Sequence, residues 1–521
     1  MLANVETAAT LGIPLLTLLV VLPLVGAVMV SLMNKAQAEQ IKLVALVFSL
    51  VTGALSVFML AKFPSGQAGF QFVSQQSWVS EWGISWHLGV DGISLFLVVL
   101  TGVLFPLVII GIDPHHDQKP YLAWMLLLEA GVMGSFLSLD LFLFFVFFEI
   151  VLVPMYFLIG NWGYEKRVYA ATKFFIYTMA GSAFMLVGIV ATAFLARRDI
   201  GYLTFNLVEI AEKSNFATGT GRWLFVAFMI AFAVKVPLFP LHTWLPDAHT
   251  QAPTQGSVIL AAILLKLGTY GFIRIAIPIL PEAAKAWAPY IGGLAVIGII
   301  YGALGCLAQT DMKRLIAFSS VAHMGYVMLG VSTLTDFGMS AAMFGMVAHG
   351  LITGMLFFVA GSIKERYHTL EIKRLGGLLT QMPRMGWILG MASMASLGLP
   401  GLAGFWGEFP AILSAYNPAE GLNVTVFRVY MVIAALGTVL AAAYLLWLFQ
   451  RVAFGEPKAE FAGGAHGADD HGHSEFEDVN KFEWIAWTPL LIAIVVFGVV
   501  PNLLFSMIDP AVHGILAGFK G

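Results

Sequence analysis

The chain has 521 residues, of which 59% are hydrophobic and only 11% are charged, and its mean hydropathy is +0.87. Soluble domains carry about 25% charged residues, so this composition indicates a membrane protein. A net charge of -3 offers no basic surface for nucleic acid, and no nucleic-acid partner is expected. The single cysteine, Cys306, cannot form an internal disulfide, a Cys-rich zinc site or an iron-sulfur cluster, so neither a redox centre nor a metal site is expected.

Long apolar runs follow one another along the whole chain, and each is long enough to cross a bilayer. They lie roughly at 11–33, 41–62, 90–112, 121–139, 141–160, 168–195, 222–241, 254–277, 287–308, 315–333, 338–362, 384–415, 427–454 and 484–508. The first run is followed by Ala36-Gln37-Ala38, a possible cleavage site, but it lacks the basic start of a signal peptide and is interpreted as a span. The pattern predicts an all-α polytopic membrane protein with about 14 transmembrane helices.

The distribution of basic residues predicts how these helices are oriented. With an even number of spans, both termini lie on the same side of the membrane. Of the 27 Lys and Arg residues, 16 fall in or beside loops after odd-numbered spans, nine fall on the other side, and Lys235 and Lys266 lie inside apolar runs. The positive-inside rule therefore predicts both termini on the periplasmic side, and the absence of a targeting presequence fits a bacterial inner membrane.

Ionisable residues inside apolar runs cost free energy, and they usually mark ion pathways or fixed ion pairs. The candidates are Glu129, Glu149, Lys235, Lys266, Glu408 and the titratable residues His323 and His349. Glu149 lies among aromatic and aliphatic residues, where its charged form needs a cation, and Lys235 is the candidate partner. The alternative for this pair is a static salt bridge that joins two spans. Asp140, between two runs, is expected to cap a span.

Three prolines, Pro237, Pro240 and Pro246, follow Lys235 within a stretch that is otherwise apolar enough to span. Prolines free backbone carbonyls from the helical pattern, and such breaks occur inside membranes only where they line a cavity or are packed in protein. Transporters place binding sites at such breaks, which favours a functional role for Lys235 over a purely structural one. His242, seven residues further on, would share a helix face with Lys235 if the helix were continuous, and it is a secondary candidate.

A second segment repeats this motif, because Phe232-x-x-Lys235-x-Pro237 recurs as Phe405-x-x-Glu408-x-Pro410 at an offset of 173. Almost the same shift carries Glu149 onto His323. These positions relate spans 5 and 7 to spans 10 and 12, a displacement of five spans. Because five is odd, corresponding helices cross the membrane in opposite directions. The sequence therefore predicts two inverted five-helix repeats, each containing a broken helix.

The predicted domain organisation follows from this repeat. Residues 1–120 form helices 1–3, residues 121–280 the first repeat with broken helix 7, and residues 285–455 the second repeat with broken helix 12. Residues 456–521 hold a His-rich loop and helix 14. The loop, 463–478, contains His466, His471 and His473 and is either a metal-binding tract or a solvated loop. The solvated loop is favoured because nothing fixes a ligand geometry, and we assign the loop no function.

The remaining candidates point to proton handling. Lys266 lies near the middle of the run 254–277, too deep to reach an interface easily, so it is a candidate proton relay. Taken singly, His323 and His349 are typical of polar residues whose hydrogen bonds are satisfied between packed helices. Together with the lysines, they indicate a proton path. Glu129 is harder to place. No nucleotide-binding, hydrolase or protease motif occurs in the sequence.

Two sequence signatures resemble those of a known family. The run from Lys235 to Thr254, with Gln309-Thr-Asp-Met-Lys-Arg314 and Ser319-Ser-Val-Ala-His323-Met-Gly, resembles the antiporter-like membrane subunits of proton-pumping NADH:quinone oxidoreductase, respiratory complex I. Glu408 stands where the related chains L and N, and many cation/proton antiporter subunits, have a lysine. The chain also lacks the long amphipathic C-terminal helix of chain L.

This resemblance implies a role for each candidate residue. Glu149 and Lys235 would be the pair whose opening starts proton movement, and Glu408 would pass the proton towards the exit. Between them, Lys266, His323 and His349 would form a hydrated central axis. NADH, FMN, iron-sulfur clusters and quinone would be handled by partner subunits.

The resemblance also implies partners. Chains L and N would be neighbours in the lipid bilayer, with the long lateral helix of chain L alongside. Two alternatives stay open at this point. A subunit of a multi-chain sodium/proton antiporter would share the broken helices and buried lysines. A purely structural spacer would tolerate replacement of the buried ionisable residues.

Overall fold

The structure is a computed structural model that describes residues 13–111, 116–461 and 476–519. The first half contains α-helices at Leu15–Leu32, Ala38–Lys62, Leu95–Gly111, Gln118–Leu137, Leu141–Ile150, Leu152–Trp162, Arg167–Ile200, Leu207–Lys213, Thr218–Lys235, Trp244–Gln251, Thr254–Ile259, Leu265–Gly271 and Ile277–Ile279. The second half contains α-helices at Pro281–Leu307, Met312–Ser332, Asp336–Tyr367, Leu378–Gln381, Pro383–Ser396, Ala403–Ser414, Val424–Ala453, Lys481–Val499 and Asn502–Leu516. Most of the His-rich loop lies outside the described residues.

Eleven helices in the described ranges are long and apolar enough to cross a membrane, which confirms a mostly helical polytopic membrane protein. Three of the predicted runs do not appear among them. The run 90–112 yields the 17-residue helix Leu95–Gly111, the run 222–241 is helical only as far as Lys235, and the run 384–415 is divided into two shorter helices. Interruptions within two of these three runs therefore explain most of the difference between the 14 spans predicted from the sequence and the 11 long apolar helices of the structure.

One part of the fold corrects the prediction of an all-α chain. Strands Gln71–Val79 and Ile84–Val90 pair as an antiparallel hairpin, joined by the 3₁₀ turn Ser80–Trp82 and by Gly83 at φ 69°. Apolar residues alternate with other residues in the second strand, from Ile84 to Val90, which is the period of a half-buried strand. This segment is too short to compete with the long apolar runs when the sequence is searched for spans.

The centre of the fold consists of three adjacent spans. The apolar windows of Thr254–Ile279 and Asp336–Tyr367 are 100% buried, and that of Met312–Ser332 is 94% buried. By contrast, only 33% of the corresponding window of Ala38–Lys62 is buried. The three central spans carry Lys266, His349 and His323, so these side chains lie inside the protein.

The span Thr254–Ile279 is not a regular α-helix. It contains two π-helical segments, Leu260–Leu264 and Phe272–Ala276. Such segments turn the following residues relative to a regular helix, and they are frequent at functional sites. Lys266 is the second residue after the first of them.

Glycine contacts fix the approach of two helices that carry candidate residues. A Cβ atom added to Gly407 would lie 2.4 Å from the Cα atom of Gly345. Small residues at such crossings let membrane helices approach closely. This contact holds the Ala403–Ser414 helix, with Glu408, against the Asp336–Tyr367 helix.

Candidate functional site

The first broken helix ends where the prolines predict. The helix Thr218–Lys235 stops at Lys235, and a new helix starts at Trp244. The Ala233 carbonyl accepts from the Leu238 amide at 2.9 Å, and the indole of Trp244 donates to the Val234 carbonyl at 2.9 Å. Carbonyls near the break are thus satisfied by protein groups, as membrane depth requires.

Lys235 lies at the end of this helix with 1% of its side chain exposed. Its Nζ atom has no hydrogen-bond partner among the described residues. It lies 4.9 Å from the ring centroid of Phe148 and 5.7 Å from that of Phe174, within the range of cation–π attraction. The lysine is therefore buried among aromatic faces.

Glu149 follows Phe148 in the chain, and it lies close enough to Lys235 for their charges to interact. The two residues do not form an ion pair within 4.0 Å in the described structure, and Glu149 Oε1 has no hydrogen-bond partner there. The proposed partners are thus neighbours without direct contact. The arrangement differs from the static salt bridge that was the alternative.

The second predicted broken helix is also interrupted, but its break lies elsewhere relative to the repeated motif. The helices Pro383–Ser396 and Ala403–Ser414 are separated by residues 397–402, where Gly398 and Gly401 have positive φ angles. Pro410 lies inside the second helix. The repeated proline does not lie at the break, because here glycines in the left-handed region interrupt the helix.

Glu408 nevertheless reaches back to this break. A Cβ atom on Gly398 would lie 3.3 Å from Oε2 of Glu408. The Glu408 side chain is 12% exposed, so its carboxylate is largely enclosed. Both breaks are thus accompanied by an ionisable side chain, although Lys235 precedes its break and Glu408 follows its own.

Lys266 and His349 are in direct contact. Nζ of Lys266 lies 2.7 Å from Nδ1 of His349 and also donates to the Ala261 carbonyl at 2.6 Å. An ammonium group can only donate, so Nδ1 accepts when Lys266 is charged, and the proton of a neutral His349 is then on Nε2. That Nε2 atom has no partner in the part of the chain that the structure describes.

His323 joins the second broken helix to the centre. Its Nδ1 contacts the Glu408 carboxylate, and its Nε2 lies 3.1 Å from Ser396 Oγ and 3.2 Å from the Tyr444 hydroxyl. The ring centroids of His323 and His349 are 6.0 Å apart. Ser396 and Tyr444 were not among the sequence candidates, because nothing in an apolar run indicates which hydroxyl will meet a histidine.

A small cavity lies between the two histidines. It has a volume of about 20 Å³ and is lined by His323, His349, Thr353, Ser396 and Glu408 among others. A cavity of this volume with several polar partners is large enough for about one water molecule. A row of titratable groups therefore runs from Lys266 through His349 and His323 to Glu408.

Besides the pair of Lys235 and Glu149, two further sequence candidates lie outside this row. Glu129 is fully buried, and neither of its carboxylate oxygens has a hydrogen-bond partner among the described residues. His242 is 2% exposed, stacks on Phe239 and meets Tyr301 edge to face beyond the first break. Since the helix is not continuous, the expected shared face with Lys235 does not form.

The structure adds a residue that the sequence reasoning missed. His249 is 0% exposed, and neither ring nitrogen has a hydrogen-bond partner among the described residues. It stacks on Phe357 with ring centroids 4.5 Å apart. Its position after Pro246 and Asp247 resembles a loop in sequence, so burial was not evident.

Amines, imidazoles and carboxylates in hydrogen-bond contact can pass protons between them. Buried ionisable groups that face a cavity between membrane helices are typical of ion and proton pathways. Within the described ranges, no group of three or more His, Cys, Asp or Glu side chains could hold a metal ion. The chemistry that the row can support is therefore proton transfer.

Comparisons with known proteins agree with this geometry. The family model described as NADH:quinone oxidoreductase/Mrp antiporter, TM, matches residues 138–435. The chain is 40% identical to NADH-quinone oxidoreductase subunit M of Rickettsia bellii over 98% of this chain and 100% of the relative. It is also 40% identical to subunit M of Rhodobacter capsulatus, with 97% of each chain covered. A chain in the structure of respiratory complex I from Thermus thermophilus with bound NADH has a TM-score of 0.85 and 29% identity, covering 97% of this chain and 100% of that one.

Proposed function

The chain belongs to the NADH:quinone oxidoreductase/Mrp antiporter family, and from this premise we propose how it acts as an antiporter-like, proton-translocating membrane subunit of NADH:quinone oxidoreductase. The observation that carries the proposal is the buried row Lys266–His349–His323–Glu408, with hydrogen-bond contact at both ends and a cavity in the middle. Full-length relatives named subunit M favour this function over a sodium/proton antiporter subunit.

The residues have different roles in the proposed movement. Lys235 and Glu149 form the pair that starts proton movement, because a change in their separation alters how well each charge is stabilised. Lys266, His349 and His323 carry the proton through the centre, and Glu408 passes it towards the exit. Moving one proton against 100 mV costs about 2.3 kcal/mol, which electron transfer in other subunits supplies.

The redox cofactors belong to partner subunits in this proposal. NADH, FMN, iron-sulfur clusters and quinone are bound elsewhere, and a single buried cysteine on this chain supports that division. Chains L and N are the proposed neighbours, together with the lateral helix of chain L. The proposed location is a bacterial inner membrane with both termini periplasmic, which rests on the distribution of basic residues.

The finer architecture is also a proposal. About 14 spans result if the helix Leu95–Gly111 and the two broken segments are counted as crossings. Residues 121–280 and 285–455 are the proposed inverted repeats, flanked by 1–120 and 456–521. Two broken helices, each accompanied by an ionisable side chain, support this division.

The central test replaces Lys235 and Glu149 one at a time. In the complete complex, Lys235→Ala and Glu149→Ala should each abolish proton pumping and reduce NADH:quinone turnover. Each variant chain should still copurify with the other subunits of the complex, which reports assembly. Normal pumping in both assembled variants would refute the proposed function.

A further inference from the structure

We propose that an apolar cavity beside the central helices binds one acyl chain of a membrane phospholipid. The cavity has a volume of about 180 Å³ and is formed by the helices Ala38–Lys62, Leu95–Gly111, Asp336–Tyr367 and Lys481–Val499. All of the residues that line it are apolar. The site is separate from the row of proton-handling residues, and it goes beyond the proposed function.

The cavity is elongated along the helix axes. Its lining extends from Phe96 to Leu104 on one helix and from Phe497 to Pro489 on a second helix that packs against the first. Each stretch rises through eight residues, or about 12 Å at 1.5 Å per residue. Both stretches start within two residues of a helix end and stop near the middle of the helix. Since the hydrocarbon core of a bilayer is about 30 Å thick, the cavity covers most of the depth of one leaflet.

One wall of the cavity is closed and the other is open. The closed wall consists of buried side chains, which are Phe96, Leu100, Leu104, Val347, Leu351 and Leu490. On the open side, Val99, Val103 and Ala493 are partly exposed, and Pro489 is exposed. Because these positions lie within helices that cross the membrane, the opening faces hydrocarbon rather than water.

Physical chemistry limits what can fill this cavity. An empty apolar cavity costs free energy, because the side chains around it lose contacts. Water would find no hydrogen-bonding side chain, since all of the lining residues are apolar. Apolar cavities of about 150 Å³ bind molecules such as benzene, so this cavity is large enough for a stretch of hydrocarbon chain. The apolar groups that a bilayer supplies at this depth are acyl chains.

A basic residue lies at the end of the cavity where a lipid headgroup would be. Leu60 lines the cavity near the end of its helix, and Lys62, two residues further on, is exposed. A lysine at such a position can keep its stem among apolar groups while its charge reaches the membrane surface. The charge of Lys62 complements the phosphate of a phospholipid. This favours a phospholipid over an uncharged apolar molecule.

A bound chain would support the central helix Asp336–Tyr367. Leu351 of this helix lines the cavity. A Cβ atom on Gly350 would lie 2.7 Å from Leu100, also on the cavity wall, and 2.8 Å from the carbonyl oxygen of Ala262 in a neighbouring span. The helix is thus in close contact with both. A chain that keeps Leu100 in place should therefore raise the thermal stability of the complex.

The test uses the complete complex in proteoliposomes that contain a phospholipid with a photoactivatable diazirine in its acyl chain. After illumination, Leu100 and Leu104 should carry the label, because both are buried from lipid at the outer surface. Ala493→Phe places a ring in the cavity, so labelling of both leucines should fall at least about tenfold. Ile492→Phe is the matched control, because Ile492 is the preceding residue of the same helix and is 57% exposed. It should be labelled like wild type.

A second measurement concerns stability. Removal of lipid with detergent should lower the Tm of the wild-type complex, and added phospholipid should restore it. The decrease should be smaller in Ala493→Phe, because its ring replaces the chain. An equal decrease in both would overturn the stabilising role of the chain.

The labelling result decides whether the site exists. Absence of label from Leu100 and Leu104 in wild type would overturn the proposal and indicate that a helix of a partner subunit covers the opening. Equal labelling in wild type and Ala493→Phe would also overturn it. If Ala493→Phe does not assemble, Val103→Phe narrows the same opening and should cause the same loss of label. None of these measurements involves proton pumping, so their failure is distinct from a failure of the proposed function.

Discussion

The imidazole of His323 contacts the carboxylate of Glu408 although the two residues are 85 positions apart and lie on different helices. The contact joins the central span Met312–Ser332, whose apolar window is 94% buried, to the second broken helix. Since His323 Nε2 simultaneously meets Ser396 and Tyr444, both ring nitrogens have partners. The ring is therefore held in one orientation, with Glu408 as its counter-charge when it is protonated.

Glu408→Gln should slow proton pumping strongly while the complex still assembles. The amide retains the size and the hydrogen-bonding capacity of the carboxylate but not its charge. Removing one partner of a buried ion pair costs about 3–5 kcal/mol, and the substitution removes the counter-charge that Glu408 supplies to His323. Glu408→Asp, which keeps the charge, is the control and should retain more activity. Equal pumping by Glu408→Gln and wild type in proteoliposomes would contradict a role for this pair.

Lys266→Met should abolish pumping, whereas His349→Ala should only reduce it. Lys266 is the only amine in the central row, and a thioether cannot accept or donate its proton. Deleting the His349 ring enlarges the neighbouring cavity, so water can take its place between Lys266 and His323. Pumping rates of the two assembled variants test this order. A larger loss for His349→Ala than for Lys266→Met would show that the imidazole cannot be replaced by water.

The sequence was sufficient to identify groups that are costly inside a bilayer, and the fold brings four of them together. Lys266, His349, His323 and Glu408 each stand out within an apolar run, independently of the tertiary structure. Asp140, expected to cap a span, does so by accepting from the amides of Phe142 and Leu143. These features depend on local chemistry, which can be read along the chain.

Features that depend on packing could not be predicted in this way. His249 is buried only because the short helix after the first break turns it onto Phe357. Pro410 resembles Pro237 in its motif, but it is accommodated in a helix while nearby glycines form the break. The direction of the Lys266 side chain depends on a π-helical segment, for which the sequence carries no clear signal.

The buried pair of Asp91 and Arg274 should be important for stability rather than for pumping. Arg274 is 1% exposed, and it contacts both Asp91 and the hydroxyl of Tyr270. Asp91→Ala leaves the guanidinium without its counter-charge and should destabilise the chain by about 3–5 kcal/mol. The measurement is the yield and thermal stability of the purified complex. Asp199→Asn, in an exposed pair with Arg198, should change neither quantity noticeably.

His87 in the hairpin should make stability depend on pH. Burial lowers the pKa of His87 from 6.5 to about 4. In the unfolded chain this histidine binds a proton below about pH 6.5, whereas in the folded chain its side chain stays neutral until about pH 4. The free energy of unfolding should therefore fall as the pH decreases through this window. Melting temperatures at pH 7.5 and pH 5 provide the measurement. His87→Gln should show a smaller decrease than wild type, and an equal decrease would rule out this histidine as a source.

The close contact of Gly407 and Gly345 should position Glu408. In Gly407→Val, the new Cβ would lie 2.4 Å from Gly345 Cα, so the Ala403–Ser414 helix must move away. Overpacking of this kind costs about 1–3 kcal/mol, and the movement would separate Glu408 from His323. We expect pumping to be lost at a residue that carries no titratable group. Gly219→Ala, where the new Cβ meets nothing within 4 Å, is the control and should pump normally. Wild-type pumping in Gly407→Val would mean that the contact between Glu408 and His323 does not depend on this helix crossing.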